Sequence, residues 1–309
     1  MTVLTTVPAL AVPAVAPAQI RSTQPPSLFA NSIPWGKELT PLKSELQSLM
    51  AEYDFLSPGI FLMDVDTGNY VNIDGDRVFP AASTIKLPIL MAFFEAVDAG
   101  KIQLDDVLTV RRDLIASGSG TLQYNRGKEL TALETATQMI IISDNTATNM
   151  LIEHLGGKDY LNTRFRAWGL QNTYIQTRLG DFKGTNKTSS ADLVRVSALI
   201  AKRQILSVDS RAKILDILNA TENRKLLAAG IGEGAHIAHK TGDIGFAIGD
   251  AGIVEKPDGK LYLIGVFVRR PYNDIRGREF VQKVSRLTYD YMTQPVPASS
   301  KVSGVNRRN

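Results

Sequence analysis

The chain has 309 residues, enough for two ordinary domains or one large one. Lys and Arg number 35 against 31 Asp and Glu, and hydrophobic residues make up 44% against 21% charged, a globular balance rather than a disordered one. Cysteine is absent and histidine occurs only at His154, His236 and His239. Disulfides, thiol catalysis, zinc ribbons and iron–sulfur clusters are therefore excluded, a metal site or histidine-based triad is disfavoured, and no cofactor is expected. Acid–base chemistry falls to Lys, Asp, Glu, Ser or Tyr. The small, evenly spread net charge argues against a nucleic-acid partner.

Residues 1–35 are rich in Ala, Pro, Thr and Val, and Pro8, Pro13, Pro17, Pro25, Pro26 and Pro34 rule out a transmembrane helix there. Ala16-Pro17-Ala18 has the small-x-small spacing of a cleavage site, without a charged n-region before it, so the segment reads as an exported or disordered leader. Residues 38–52 place Leu39, Leu42, Leu46 and Leu49 at helical spacing. Two strand-like runs follow, 59–65 and 70–73, joined by the turn Asp66-Thr67-Gly68-Asn69. From 83 to 227 the pattern is mainly helical: Thr131 and Glu134 form a capping box opening a helix to Ile142, and a helix through 150–155 closes at Gly156-Gly157. Strand texture returns at 236–240, 248–254 and 261–268, with Pro257-Asp258-Gly259 as a hairpin turn, before an amphipathic helix over 276–292. The polar stretch 294–309 reads as a disordered tail.

This order predicts an α/β chain of the α+β type. One antiparallel five-stranded sheet, flanked by N- and C-terminal helices, is assembled from 36–82 and 228–293, with an all-helical lobe, 83–227, inserted after the second strand. A cleft is expected where the lobes meet.

Three short motifs could carry chemistry. Ser83-Thr84-Ile85-Lys86 opens an apolar helix, and i, i+3 spacing lets the Lys86 ammonium reach the Ser83 hydroxyl. A lysine can activate a serine once burial, a second cation and a helix N-terminus depress its pKa. The bland alternative is a helix start with a solvated lysine, and Ser210-Arg211-Ala212-Lys213 repeats the spacing by coincidence on a charged helix. Ser143-Asp144-Asn145 lies between two helices, where Asp144 or Asn145 also reads as an N-cap. Lys240-Thr241-Gly242 ends an apolar strand, or is merely a turn with an exposed lysine.

Together, in this order and on these elements, the motifs resemble those of the class A β-lactamase and penicillin-binding protein superfamily, the penicilloyl serine transferases. The likeness covers roughly residues 40–293, including Gly118-Ser119-Gly120 and Thr177-Arg178-Leu179. The resemblance implies a β-lactamase/transpeptidase-like fold. It implies that Ser83 is acylated, that Lys86 accepts its proton, and that Ser143 relays a proton to the leaving nitrogen. It further implies that Asn145 holds Lys86 and the substrate amide, that Lys240, Thr241 and Gly242 bind the substrate's carboxylate end, and that the backbone N–H groups of Ser83 and Asp243 form an oxyanion hole. Asp144 is expected to be structural.

One departure bears on the activity. Class A β-lactamases deacylate with a glutamate shortly after Thr-Arg-Leu, whereas this chain continues Leu179-Gly180-Asp181-Phe182-Lys183-Gly184, on a loop that looks shortened, and has no glutamate between Glu153 and Glu222. The resemblance therefore implies a DD-peptidase acting on acyl-D-Ala-D-Ala stem peptides of peptidoglycan, acylated by β-lactam antibiotics and slow to release them. A β-lactamase using Asp181 as its base, or a non-catalytic wall- or drug-binding module, is the alternative. The substrate places the protein in the periplasm or outside the cell. The strand after Gly245, Phe246-Ala247-Ile248-Gly249-Asp250, offers no arginine to pin the substrate carboxylate, which leaves Lys240 and Thr241 alone or with Arg224.

Overall fold

In a computed structural model, residues 33–202 and 205–294 are described. The leader motif Ala16-Pro17-Ala18 and the tail beyond Gln294 lie outside them. No described helix is long and apolar enough to cross a membrane.

The chain enters through helix α1 (Thr40–Glu52), started by Pro41, whose Leu42, Leu46 and Leu49 recur on one buried face. Strands β1 (Ser57–Asp64) and β2 (Tyr70–Ile73) form the first hairpin. Near the other end, β7 (His236–Asp243), β8 (Ala247–Glu255) and β9 (Leu261–Arg269) precede helix α8 (Arg276–Thr293). These strands make one antiparallel sheet in the order β2-β1-β9-β8-β7. The two chain ends meet at the β1–β9 pairing, and β7 is left as an edge. One face packs α1 and α8 through Ile60, Leu62, Ile264, Val266 and Phe280. The other carries Phe61, Met63, Leu263 and Phe267 into the core of the helical segment. Burial on both faces accounts for the nearly unbroken apolar runs in β8 and β9.

Between the sheet halves lie α2 (Lys86–Asp98), α3 (Ala132–Ile141), α4 (Asn145–His154), α5 (Gly157–Ala167), α6 (Ser190–Ala201) and α7 (Val208–Asn219). The capping box forms as the sequence predicts: the Thr131 side chain accepts from the Glu134 backbone, and the Glu134 carboxylate accepts from the Thr131 N–H. The segment is not all helical, however. Two-residue strands β3 (Phe79–Pro80) and β6 (Lys187–Thr188) pair, as do β4 (Val107–Thr109) and β5 (Glu129–Thr131). Such ribbons are too short to leave a periodic signal.

Candidate active site

Ser83 sits in a 3-10 turn, Ala82–Ile85, that runs into α2, and Pro88 is the third residue of that helix, where its missing N–H leaves nothing unpaired. The turn lies against β7. A Cβ on Gly242 would come within 2.9 Å of the backbone nitrogens of both Ser83 and Thr84, so only glycine lets strand and nucleophile approach this closely. Ala82 and Ser143 hold left-handed backbone, with φ of 47° and 58°. Each costs about 1–3 kcal/mol in a non-glycine residue, and the two flank the site's reactive groups.

Lys86 is fully buried, and its Nζ donates to the Ser143 carbonyl at 2.6 Å, the Asn145 Oδ1 at 2.9 Å and the Ser143 Oγ at 3.0 Å. Three acceptors on the segment before and into α4 thus take all three donors of the ammonium. A neutral amine has only two N–H groups, so on deprotonation one contact must reverse. Ser143 Oγ alone can do so, because the other two acceptors are carbonyl oxygens. Asn145 is fixed in this orientation by its Nδ2, which donates to the Ser117 carbonyl at 2.9 Å. Asp144 is buried and caps α4, accepting from the N–H groups of Ala147, Thr121 and Leu122, which makes it structural. A Cβ on Gly120 would lie 2.2 Å from its carboxylate, so glycine there lets the 117–122 segment close over α4.

Lys240 is the second buried lysine. Burying an ammonium costs several kcal/mol, and two in one place cannot both keep their protons cheaply. Burial first, then the Lys240 charge, pushes Lys86 well below the ordinary lysine value, and Asp144 opposes this only in part. Burial lowers Lys240 to about 8, with Asp250 holding it up. Both shifts thus have burial as their first cause, and only Lys86 carries the further push of a neighbouring lysine. Asp250, on the neighbouring strand β8, is paired with the buried His239 of β7 at 2.9 Å.

Lys240-Thr241-Gly242 lies within β7 rather than at its end, because the strand runs on to Asp243. At the turn the Ile244 N–H bonds across to the Ala247 carbonyl. Successive N–H groups of a strand alternate in direction, so the Asp243 N–H points to the free edge, the side that faces Ser83. Ser83, Ser119, Ser143, Lys240, Thr241 and Asp243 line one cleft of about 450 Å³. A larger groove, about 770 Å³, lies by the β8–β9 hairpin and the end of α8 and holds none of these residues.

Sequence reasoning missed other lining residues: Arg278, in the first turn of α8, and Glu222 and Lys225. Arg224, its suggested carboxylate partner, is exposed and does not line the cleft. Arg278 is half-buried, and its guanidinium makes no ion pair among the described residues. It lies 38 positions after Lys240, and nothing local marks it.

The loop after Thr177 is tied both to α4 and to itself. Asn149 on α4 grips the Leu179 backbone from both sides, donating to its carbonyl at 2.6 Å and accepting from its N–H at 2.8 Å. The Leu179 side chain is buried in the core, and the Leu179–Gly180 peptide is cis. Both Asp181 oxygens are engaged in the same loop, one accepting from Thr185 Oγ1 at 3.0 Å and the other from the Asn186 N–H at 2.7 Å.

The sequence profile of the β-lactamase enzyme family matches residues 41–292. A β-lactamase of Rhodobacter capsulatus is 30% identical over 164 residues, 51% of this chain and 56% of that protein. The extended-spectrum β-lactamase PER-1 of Pseudomonas aeruginosa is 25% identical over 277 residues, 84% of this chain and 90% of its own. PBP-A superposes with a TM-score of 0.82 at 50% identity, over 84% of this chain and 98% of that one. Its leucine-to-glutamate variant, solved as an acyl-enzyme complex with penicillin G, matches at 0.82 and 49%, over 84% and 99%. A match running from the first helix to the last, on a fold of the same topology, makes this chain a member of the β-lactamase enzyme family, a serine hydrolase of the β-lactamase and penicillin-binding protein superfamily.

Proposed function

We propose that the protein is a serine DD-peptidase: a D-Ala-D-Ala carboxypeptidase of peptidoglycan stem peptides that β-lactams acylate and block. The observation that carries this reading is the loop, where Leu179 is buried and the one carboxylate, Asp181, accepts hydrogen bonds from its own turn and does not line the cleft. The 50% identity to a penicillin-binding protein, against 25% to PER-1, supports the same choice.

In this mechanism neutral Lys86 takes the Ser83 proton as Oγ adds to the penultimate D-Ala carbonyl. The N–H groups of Ser83 and Asp243 receive the oxyanion, each such donor being worth about 3–4 kcal/mol. Lys86 returns the proton through Ser143 Oγ to the departing nitrogen, the one contact of the three able to reverse. Lys240, Thr241 and Arg278 hold the substrate's terminal carboxylate, which selects peptides with a free C-terminus. D-Ala then leaves and opens the ester to water. A ring-opened β-lactam keeps its amine tethered, and no loop carboxylate lines the cleft to activate water, a deficit of about 10²–10⁴-fold. Such a substrate lies outside the cytoplasmic membrane, so the protein would act in the periplasm or after secretion.

Incubation with an N-acylated tripeptide ending in D-Ala-D-Ala, followed by chromatography of released D-Ala, tests this. Release that stops when Ser83 is replaced supports it. Rapid penicillin hydrolysis without D-Ala release would favour a β-lactamase instead.

A further inference from the structure

The end of β7 carries an ion pair that the mechanism above does not use. Arg270, the residue after β9, places its Nη2 2.6 and 2.7 Å from the two oxygens of Asp243. The arginine side chain is 3% exposed, whereas the aspartate is 40% exposed at the cleft. A guanidinium nitrogen held between both oxygens of a carboxylate, on an arginine side chain almost fully desolvated and fixed by two further donors, sets orientation as well as charge. Arg270 does more than pair. Its Nε donates to the Gly245 carbonyl at 2.8 Å, its Nη1 to the Asp274 carbonyl at 3.1 Å, and its own N–H to the Phe246 carbonyl at 3.0 Å. The Asp243 carboxylate also accepts from the Gly245 N–H at 2.8 Å. Its stem lies where a Cβ on Gly277 would be, 2.6 Å away.

These contacts tie the turn after β7 to the segment 270–277, which delivers Arg278 to the same cleft. β7 is an edge strand, so beyond Asp243 no neighbouring strand holds its free side. An isolated surface pair would contribute little, but this one is buried on the arginine side and acts on a backbone whose placement matters to a fraction of an ångström.

We propose that Arg270 is a positioning residue: locked on the Asp243 carboxylate, it holds the Asp243 N–H where that group meets the oxyanion formed on Ser83. This deepens the acyl-transfer reading and rests on it.

The test separates binding from chemistry in the reaction with benzylpenicillin, using stopped-flow to resolve the pre-covalent dissociation constant from the limiting acylation rate. Arg270→Ala is expected to lower the limiting rate about 10–100-fold, less than outright removal of an oxyanion donor, with the dissociation constant moving less than about threefold. Arg270→Lys, which keeps one charged donor, restores part of the rate. Asp243→Asn, close to isosteric, gives a smaller loss of the same kind and reads the proposal should Arg270→Ala fail to fold. The double variant Asp243→Asn/Arg270→Ala should be no slower than Arg270→Ala, because both remove one contact. Acylation within about twofold of the parent in Arg270→Ala and Asp243→Asn, or multiplicative losses in the double variant, would overturn the proposal. A parent protein that never becomes acylated on Ser83 would instead overturn the underlying function.

Discussion

Two segments, one lining the Ser83 cleft and one the loop after Thr177, are satisfied in opposite ways. Behind Ser83, the Lys86 ammonium, Ser143 and Asn145 form a network whose contacts must rearrange when a proton leaves, held by strained backbone at Ala82 and Ser143. The loop from Thr177 to Thr188 has its polar groups closed on themselves: Asp181 with Thr185 and Asn186, and Leu179 with Asn149. One segment stores a proton-transfer path; the other is a well-made turn. The contrast sets forming an acyl-enzyme and clearing it apart as separate constructions, and the proposed function has this fold complete the first without the second.

Replacing the nucleophile breaks the contrast most severely. Ser83→Ala should lower acylation by about 10⁶-fold, the scale seen when a catalytic serine is lost, and leave no penicilloyl mass on the protein. Persistent labelling would mean that the nucleophile is elsewhere. Grafting chemistry onto the silent segment is the next largest effect. Leu179→Glu, read by the rate of adduct loss, should speed deacylation about 10²–10⁴-fold if its carboxylate reaches the ester. Unchanged loss would show that the loop does not approach it.

The two lysines predict a pH profile. Lys86 works without its proton, so acylation rises as pH climbs through its lowered pKa; Lys240 works with its proton, so carboxylate recognition fails as pH passes about 8. The second-order acylation rate should therefore be bell-shaped, falling about tenfold per pH unit on the alkaline side. An alkaline limb near 10 would contradict the assignment of Lys240. The smallest effect belongs to the turn itself: Asp181→Asn should cost about 1–2 kcal/mol of stability by denaturant titration and change adduct lifetime less than about threefold. A much longer lifetime would reveal Asp181 as a base after all.

Much of this was legible from local chemistry. The Thr131–Glu134 capping box and the leucine spacing of α1 act within a few residues, and both form as predicted. Lys240-Thr241-Gly242 was harder, since glycine reads as a strand end, while here it lets β7 press against the backbone of Ser83. Helical spacing puts Lys86 on the side of Ser83, but it cannot show the acceptors 57 and 59 residues away that take the lysine's donors. Arg278 and the Arg270–Asp243 pair left no trace, because each depends on loops converging from distant parts of the chain. Local order is written in local sequence; which cations line a cleft is decided by tertiary closure.

The account rests on an ester that forms readily and leaves slowly. Mixing the protein with benzylpenicillin and following the intact mass over time measures both directly. A one-to-one adduct persisting for minutes or longer is the predicted result, and an adduct cleared within a second, with catalytic loss of the antibiotic, would contradict it.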